Sequence, residues 1–327
     1  MNKEKIIGIL PYSYVCKRTN KRIITSTTGV EPDLYNKYGE KKRTFYLRDA
    51  VCSHSPYTFS SQNTAQTRYI NWDRYNIALP VHFYSHRYIM EDTYQCEKKF
   101  AFLFESEELL HKLYNRILSS PERMSGFTGI FTHSERLLEK YPNAHFIPGS
   151  SVWYGGTCGG GVMSETLYQN KTKNISLVSS DKAACDLHKY RLQLAQWLYH
   201  SNTVDVMGTF NGGSFVSISE SLQNYRYSIA IENNITSCYF TEKLLNCFAA
   251  MTVPIYIGAT DIGRWFNTDG IIQINPFEER STVEKVLSQC NENDYMSRKD
   301  AIIDNFNRVK KYMCIEDYIY ENYGNLF

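Results

Sequence analysis

Between residues 174 and 287 the chain alternates short apolar runs with longer segments of helical period, and this alternation narrows the possible folds more than any other feature. Residues 174–178, 203–206, 227–231, 253–257 and 271–274 have the length and aliphatic content of buried strands. Between them, Leu192, Leu194, Ala195 and Leu198 share one helical face, and so do Leu244, Leu245, Phe248 and Ala249. A short helix is predicted within 217–225, and another opens at 282–287. Strands joined through helices pair in parallel, because such a connection cannot be made by a tight turn. A parallel sheet flanked by helices, a Rossmann-like domain, is the expected result.

The first half follows the same grammar in its later part. Strands are predicted at 99–104, 128–131 and 144–147. Ser106 is read as the cap of a helix carrying Leu109, Leu110, Leu113 and Ile117. Thr132 and Glu135 are read as a capping box ahead of Leu137 and Leu138. The apolar run 6–10 reads as a first strand. Residues 53–71 are polar and aperiodic, as in a long surface loop near a site. The glycine-rich stretch 154–161 matches neither GxGxxG nor the Walker loop and reads as an interdomain linker. The aromatic C-terminal segment, with Tyr312, Tyr318, Tyr320 and Phe327, reads as helices returning to the first half. The expected division is an N-terminal domain over 1–158, with 305–327 packing back on it, and a C-terminal domain over 159–304.

Composition sets limits. The formal net charge is +2, so nothing global draws the chain to nucleic acid or an anionic membrane. Nine cysteines, an odd number with no CxxC pair, fit reduced thiols in a cytoplasm better than disulfides or structural zinc. No run approaches the roughly 20 apolar residues that span a bilayer, which leaves peripheral membrane contact at most. No Asp-x-Asp pair stands at a strand end, so no obligatory metal or other cofactor is expected.

The chemistry concentrates in 227–259, a predicted strand, polar loop, helix and strand. In open α/β sheets ligands bind beyond the carboxyl ends of the strands, where this loop lies. Thr241 is placed to start the helix, whose free N–H groups form an anion site. Lys243 in its first turn sits where the helix dipole disfavours a cation. That local conflict points to a task such as holding a diphosphate.

In order along the chain, Glu232-Asn233, Tyr239, Thr241-Glu242-Lys243 and Thr252-Val253-Pro254 resemble the donor-binding region of the α-1,3/1,4-fucosyltransferases, glycosyltransferase family 10, bacterial type. Thr203-Val-Asp205-Val-Met-Gly208 resembles that family's Val-Asp-x-x-Gly strand, and His188-Lys189-Tyr190-Arg191 its basic helix start. The likeness covers roughly 174–275. Ile231 departs from the family's Phe, and Met251 stands where a small residue is usual. The resemblance implies the GT-B architecture, two Rossmann-like domains facing across a cleft. It also implies an inverting transferase that moves a 6-deoxyhexose, most simply L-fucose, from a GDP-sugar to a glycan hydroxyl. Surface glycans such as lipopolysaccharide or capsule are the acceptors it suggests. Another GDP-sugar such as a heptose, or a non-catalytic nucleotide- or carbohydrate-binding role, are the alternatives.

The same resemblance assigns roles. Arg191 and Lys243 take the diphosphate; Asn233 and Tyr239 contact donor hydroxyls or phosphate; Glu242 contacts the ribose or sugar; and Thr241 opens the helix that carries Glu242 and Lys243. Glu232 is read as positioning the loop or touching the anomeric centre. The base is expected from the other domain, with Glu105 at the end of the strand 99–104 chosen over Glu107 and Glu108. His82 and His86 read as members of a packed strand, and His133 and His145 as core or acceptor-contacting residues.

Overall fold

The computed structural model describes residues 12–15, 22–25, 35–49, 67–74, 76–155 and 159–327. The apolar run 6–10 and most of the predicted loop 53–71 lie outside the described residues. An antiparallel ribbon, β1 (Tyr12–Val15) and β2 (Arg22–Thr25), stands apart from two parallel sheets.

The first sheet has β3 (Arg43–Arg48), β4 (Ile70–Asp73), β5 (Val81–Ser85), β6 (Lys98–Leu103), β7 (Gly129–Thr132) and β8 (Ala144–Phe146). Their order is β4-β3-β5-β6-β7-β8, every pair parallel. The second has β9 (Lys173–Val178), β10 (Asp205–Met207), β11 (Tyr225–Ile231), β12 (Val253–Ile257) and β13 (Ile272–Gln273), in the order β10-β9-β11-β12-β13, again all parallel. Residues of β5 and β12 are buried along their whole length, as expected for strands covered on both faces. Pro254 lies within β12, yet β13 joins that strand only from Ile255, so a proline is tolerated there.

Side chains of β5 alternate between two cores. Phe83 joins Phe45, Trp72, Phe100 and Phe131, and this face is closed by Ile315 and Ile319 of the C-terminal helix Ile315–Tyr323. Tyr84 joins Tyr46, Leu103, Tyr114 and Ile117 on the opposite face. Trp72 Nε1 donates to Glu316 at 3.1 Å, which ties the returning helix to β4. The return starts later than residue 305: Ile302, Phe306, Val309 and Tyr312 belong to the core of the second sheet. On the way out, Val152 and Tyr154 already pack in that second core, so the chain changes core before the glycine-rich stretch. The described glycines there are bonded, Gly155 N–H to Gly160 O and Ser219 N–H to Gly159 O.

Three local readings are corrected. Ile70–Asp73 is a strand although it follows a polar run, because four residues suffice when each is buried. Ser134 rather than Thr132 caps the helix Glu135–Lys140; Thr132 finishes β7 and its hydroxyl accepts from Ser134 N–H. Ser106 accepts from Leu109 N–H in a turn, and the helix itself begins at His111.

Candidate functional site

The carboxyl ends of both sheets open on one cleft of about 870 Å³. Phe104 and Glu105 line it from beyond β6, Ser179 and Ser180 from beyond β9, Gly208 and Thr209 from beyond β10, and Asn233 from beyond β11. The helices Asp186–Leu198 and Glu242–Ala249 add His188 and Arg191, and Glu242, Lys243, Asn246 and Cys247.

The loop after β11 is built around one carboxylate. Glu232 continues the β11–β12 ladder through its N–H to Ile257 O and is fully buried. Its Oε1 accepts from Thr241 N–H at 2.8 Å and its Oε2 from the Thr241 hydroxyl at 2.7 Å. Both oxygens are therefore taken up by Thr241, an arrangement that suits the first of its two expected roles, positioning the loop. Burial pushes its carboxyl above the usual range, against the pull of Lys243. A Cβ at Gly258 would lie 2.6 Å from Glu232 Cγ and 2.2 Å from the Tyr256 hydroxyl, so only glycine fits beside this carboxyl.

Thr241, so anchored, caps the helix Glu242–Ala249 by accepting from Lys243 N–H. Lys243 Nζ lies 3.3 Å from Glu242 and 3.7 Å from Glu232. Burial works against the lysine charge, but these two carboxylates hold its pKa above the ordinary value. Burial likewise opposes the Glu242 charge, but Lys243 holds that carboxyl below the usual range. Arg191 is buried, its Nε has no hydrogen-bond partner, and burial lowers its pKa. A buried guanidinium with an open donor on a cleft wall suits an anion. Asn233 Oδ1 is paired with His188 Nε2 at 2.8 Å, which fixes its amide at the cleft edge.

Facing these groups, Glu105 follows β6. Its main chain is held by side chains rather than by a ladder: its N–H donates to His86 Nε2 at 3.2 Å, and its carbonyl accepts from the Tyr114 hydroxyl at 2.8 Å and His133 Nε2 at 3.0 Å. Burial pushes both histidines down to about 4, so each is neutral and carries one ring proton. The partners place that proton on Nδ1 of His86 and on Nε2 of His133. Glu107 is turned away and bound to Ser134 and Arg136. His145 is partly buried against Phe131 and Tyr323, His133 is buried, and neither lines the cleft, so neither has the acceptor-contacting position open to it in the sequence. His82 is buried in β5 with Nδ1 bonded to the Tyr84 hydroxyl.

Tyr239 is buried at the boundary of the halves, its ring 4.5 Å from that of His133. Gly149 N–H donates to Phe240 O, and a Cβ on Gly149 would sit 2.9 Å from the Tyr239 ring. Asn246 Oδ1 accepts from the N–H groups of Trp153 and Tyr154 at 2.7 and 2.8 Å. Sequence reasoning missed Gly149, Asn246 and Tyr114, since none lies in a recognisable motif. Among the described residues no group of three or more His, Cys, Asp or Glu could hold a metal ion, the six cysteines are free, and no helix is long and apolar enough to cross a membrane.

Known proteins resemble the chain in sequence over its second half and in fold over most of its length. Residues 168–323 match the C-terminal part of glycosyltransferase family 10 (fucosyltransferase). Over 75 residues, 23% of the chain and 16% of the relative, identity to GDP-fucose protein O-fucosyltransferase 3 of Danio rerio is 32%. Over 115 residues, 31% of the chain and 32% of the relative, identity to 4-galactosyl-N-acetylglucosaminide 3-alpha-L-fucosyltransferase 9 of Mus musculus is 28%. An alpha-(1,3)-fucosyltransferase of Helicobacter pylori is 28% identical over 60 residues, 18% of the chain and 13% of the relative. The chain thus spans a third or less of the length of these relatives. The crystal structure of an alpha1,3-fucosyltransferase with GDP is 13% identical, with a TM-score of 0.50 covering 88% of this chain and 96% of that one; the likeness is one of fold, GT-B.

Proposed function

Because residues 168–323 belong to glycosyltransferase family 10, we propose that the protein transfers a 6-deoxyhexose, L-fucose first, from its GDP-sugar to a glycan hydroxyl with inversion. The observation that carries the reading is the convergence of Arg191, Glu242 and Lys243 on one wall of a cleft whose other wall presents Glu105. Arg191 offers a fork and Lys243 a point charge to the diphosphate. Charge grows on that group as the bond from the anomeric carbon to phosphate oxygen breaks, so these contacts strengthen toward the transition state. The acceptor oxygen attacks the anomeric carbon from the opposite side, and Glu105 takes its proton. GDP and the inverted glycoside are the products. Asn233, held by His188, and Tyr239 shape the donor end of the cleft. The two cations meet the need for positive charge at the leaving group, so no metal cofactor enters the proposal.

The test is GDP release from a panel of sugar nucleotides, with and without glycan acceptors. Acceptor-dependent GDP formation from GDP-fucose is expected, and Lys243→Ala should cost about 100-fold or more in kcat/KM. EDTA should leave the rate within about twofold. Consumption of a different GDP-sugar would move the donor assignment and keep the chemistry. GDP binding without turnover of any sugar nucleotide would favour a binding protein, and no GDP binding at all would overturn the proposal.

A further inference from the structure

Glu105 stands just past the last residue of β6, where the strand ladder no longer holds the backbone. The grip on it comes from three buried side chains of separate elements: His86 after β5, Tyr114 on the helix His111–Leu118, and His133 after β7. His133 also touches the other half of the molecule. Its Nε2–H donates to the Glu105 carbonyl while its ring packs on Tyr239, the residue two before the Thr241 cap. A single rigid imidazole thus links the main chain of the base to the loop that leads into the helix bearing Glu242 and Lys243. Its Nδ1 is buried with no hydrogen-bond partner among the described residues.

From this geometry we infer that His133 is a positioning residue for the transfer reaction, holding the Glu105 carboxylate in register with the donor loop across the cleft. The inference rests on Glu105 being the base. A displacement of about 1 Å in such a pair costs on the order of 100-fold in rate, so a residue that touches no substrate can control turnover. The role predicts an effect on kcat and little on donor affinity, since Arg191, Glu242 and Lys243 are held independently by their own helices.

The experiment is steady-state kinetics and GDP binding for His133→Leu, His133→Gln and His133→Asn, each also in a Glu105→Gln background. Leu keeps bulk against Tyr239 and loses the donor. Gln places an N–H about where Nε2 lies, and Asn is one methylene too short to reach. His133→Leu should lower kcat about 30-fold or more with the KM for GDP-sugar within about threefold, and His133→Gln should recover most of it. In the Glu105→Gln background the same changes should alter the residual rate less than about twofold, the mark of action through Glu105. If the Leu variant does not fold, the gap between Gln and Asn carries the test. A kcat within about threefold of wild type for folded Leu or Asn variants, or equal losses with and without Glu105, would overturn the inference. Full turnover by Glu105→Gln alone would instead overturn the assignment of the base, and absence of GDP release by the wild type the transferase reading itself.

Discussion

The two walls of the cleft are built on opposite plans. On the donor side a contiguous stretch makes the site: Glu232 ends a strand, accepts twice from Thr241 nine residues later, and so fixes the helix that bears Glu242 and Lys243. On the facing wall one residue, Glu105, has its main chain held by side chains from positions 86, 114 and 133. The first plan is local and charged, the second long-range and neutral. A local plan survives sequence divergence as a readable motif. A long-range one depends on three strands of the sheet, β5, β6 and β7, and on their two connections being in place before the clamp exists.

The comparison is broken most directly at Glu232. Glu232→Ala leaves the Thr241 N–H and hydroxyl buried without an acceptor and removes one of the two carboxylates beside Lys243. A loss of about 3 kcal/mol in unfolding free energy is expected, of the size seen when one partner of a buried charged network is removed. Chemical denaturation of the purified variant checks it. GDP affinity should fall with it, while Glu105→Gln should leave GDP affinity as it was. Equal GDP affinity in Glu232→Ala and wild type would mean that the donor wall is not organised by this carboxylate.

The Glu105 wall is exposed by acid instead. Burial, the main cause, pushes His86 and His133 down to about 4, with Asp49 pulling His86 back up and Glu107 and the Glu105 carbonyl pulling His133 up. A histidine whose folded pKa lies below its unfolded value contributes stability that is complete above about 6.5 and is lost as pH falls toward 4. Each should cost about 2 kcal/mol at pH 5. The loss of stability between pH 7 and pH 5 should therefore be smaller by about 2 kcal/mol in His133→Gln than in wild type. If the pH dependence is unchanged in that variant, the clamp is not a buried neutral imidazole.

How much of this was legible follows the same division. The strands of the second sheet were readable because parallel strands covered on both faces are nearly uninterrupted apolar runs, and residues 253–257 coincide with β12 residue for residue. The Thr241 cap and the Lys243 anomaly were readable because capping is a rule of nearest neighbours. β4 was hidden by Asn71 and Asp73, polar residues that are nonetheless buried. The cap at residue 134 was misplaced by two positions because Thr132 and Ser134 both suit the role and only the end of β7 decides between them. Glu105 was selected by its place at a strand end, but His86, Tyr114 and His133 carry no periodicity that joins them, and only the fold brings them to one peptide.

The finest distinction lies between Glu105 and its neighbour Glu107, since an acidic run made either a candidate. The structure separates them by place and partner: Glu105 lines the cleft with Oε1 accepting from the Ser106 N–H, while Glu107 is spent on Arg136, 2.5 Å away, and on the Ser134 hydroxyl. Arg136 is half exposed, so the pair contributes little in water, and Glu107→Gln should cost about 0.5–1 kcal/mol. Its kcat should stay within about twofold of wild type, whereas a base loses about 100-fold or more on the same change. Thermal unfolding and initial rates measured side by side decide it. A large rate loss in Glu107→Gln with an unchanged melting temperature would transfer the role of base to Glu107, and the clamp on Glu105 would then hold a bystander.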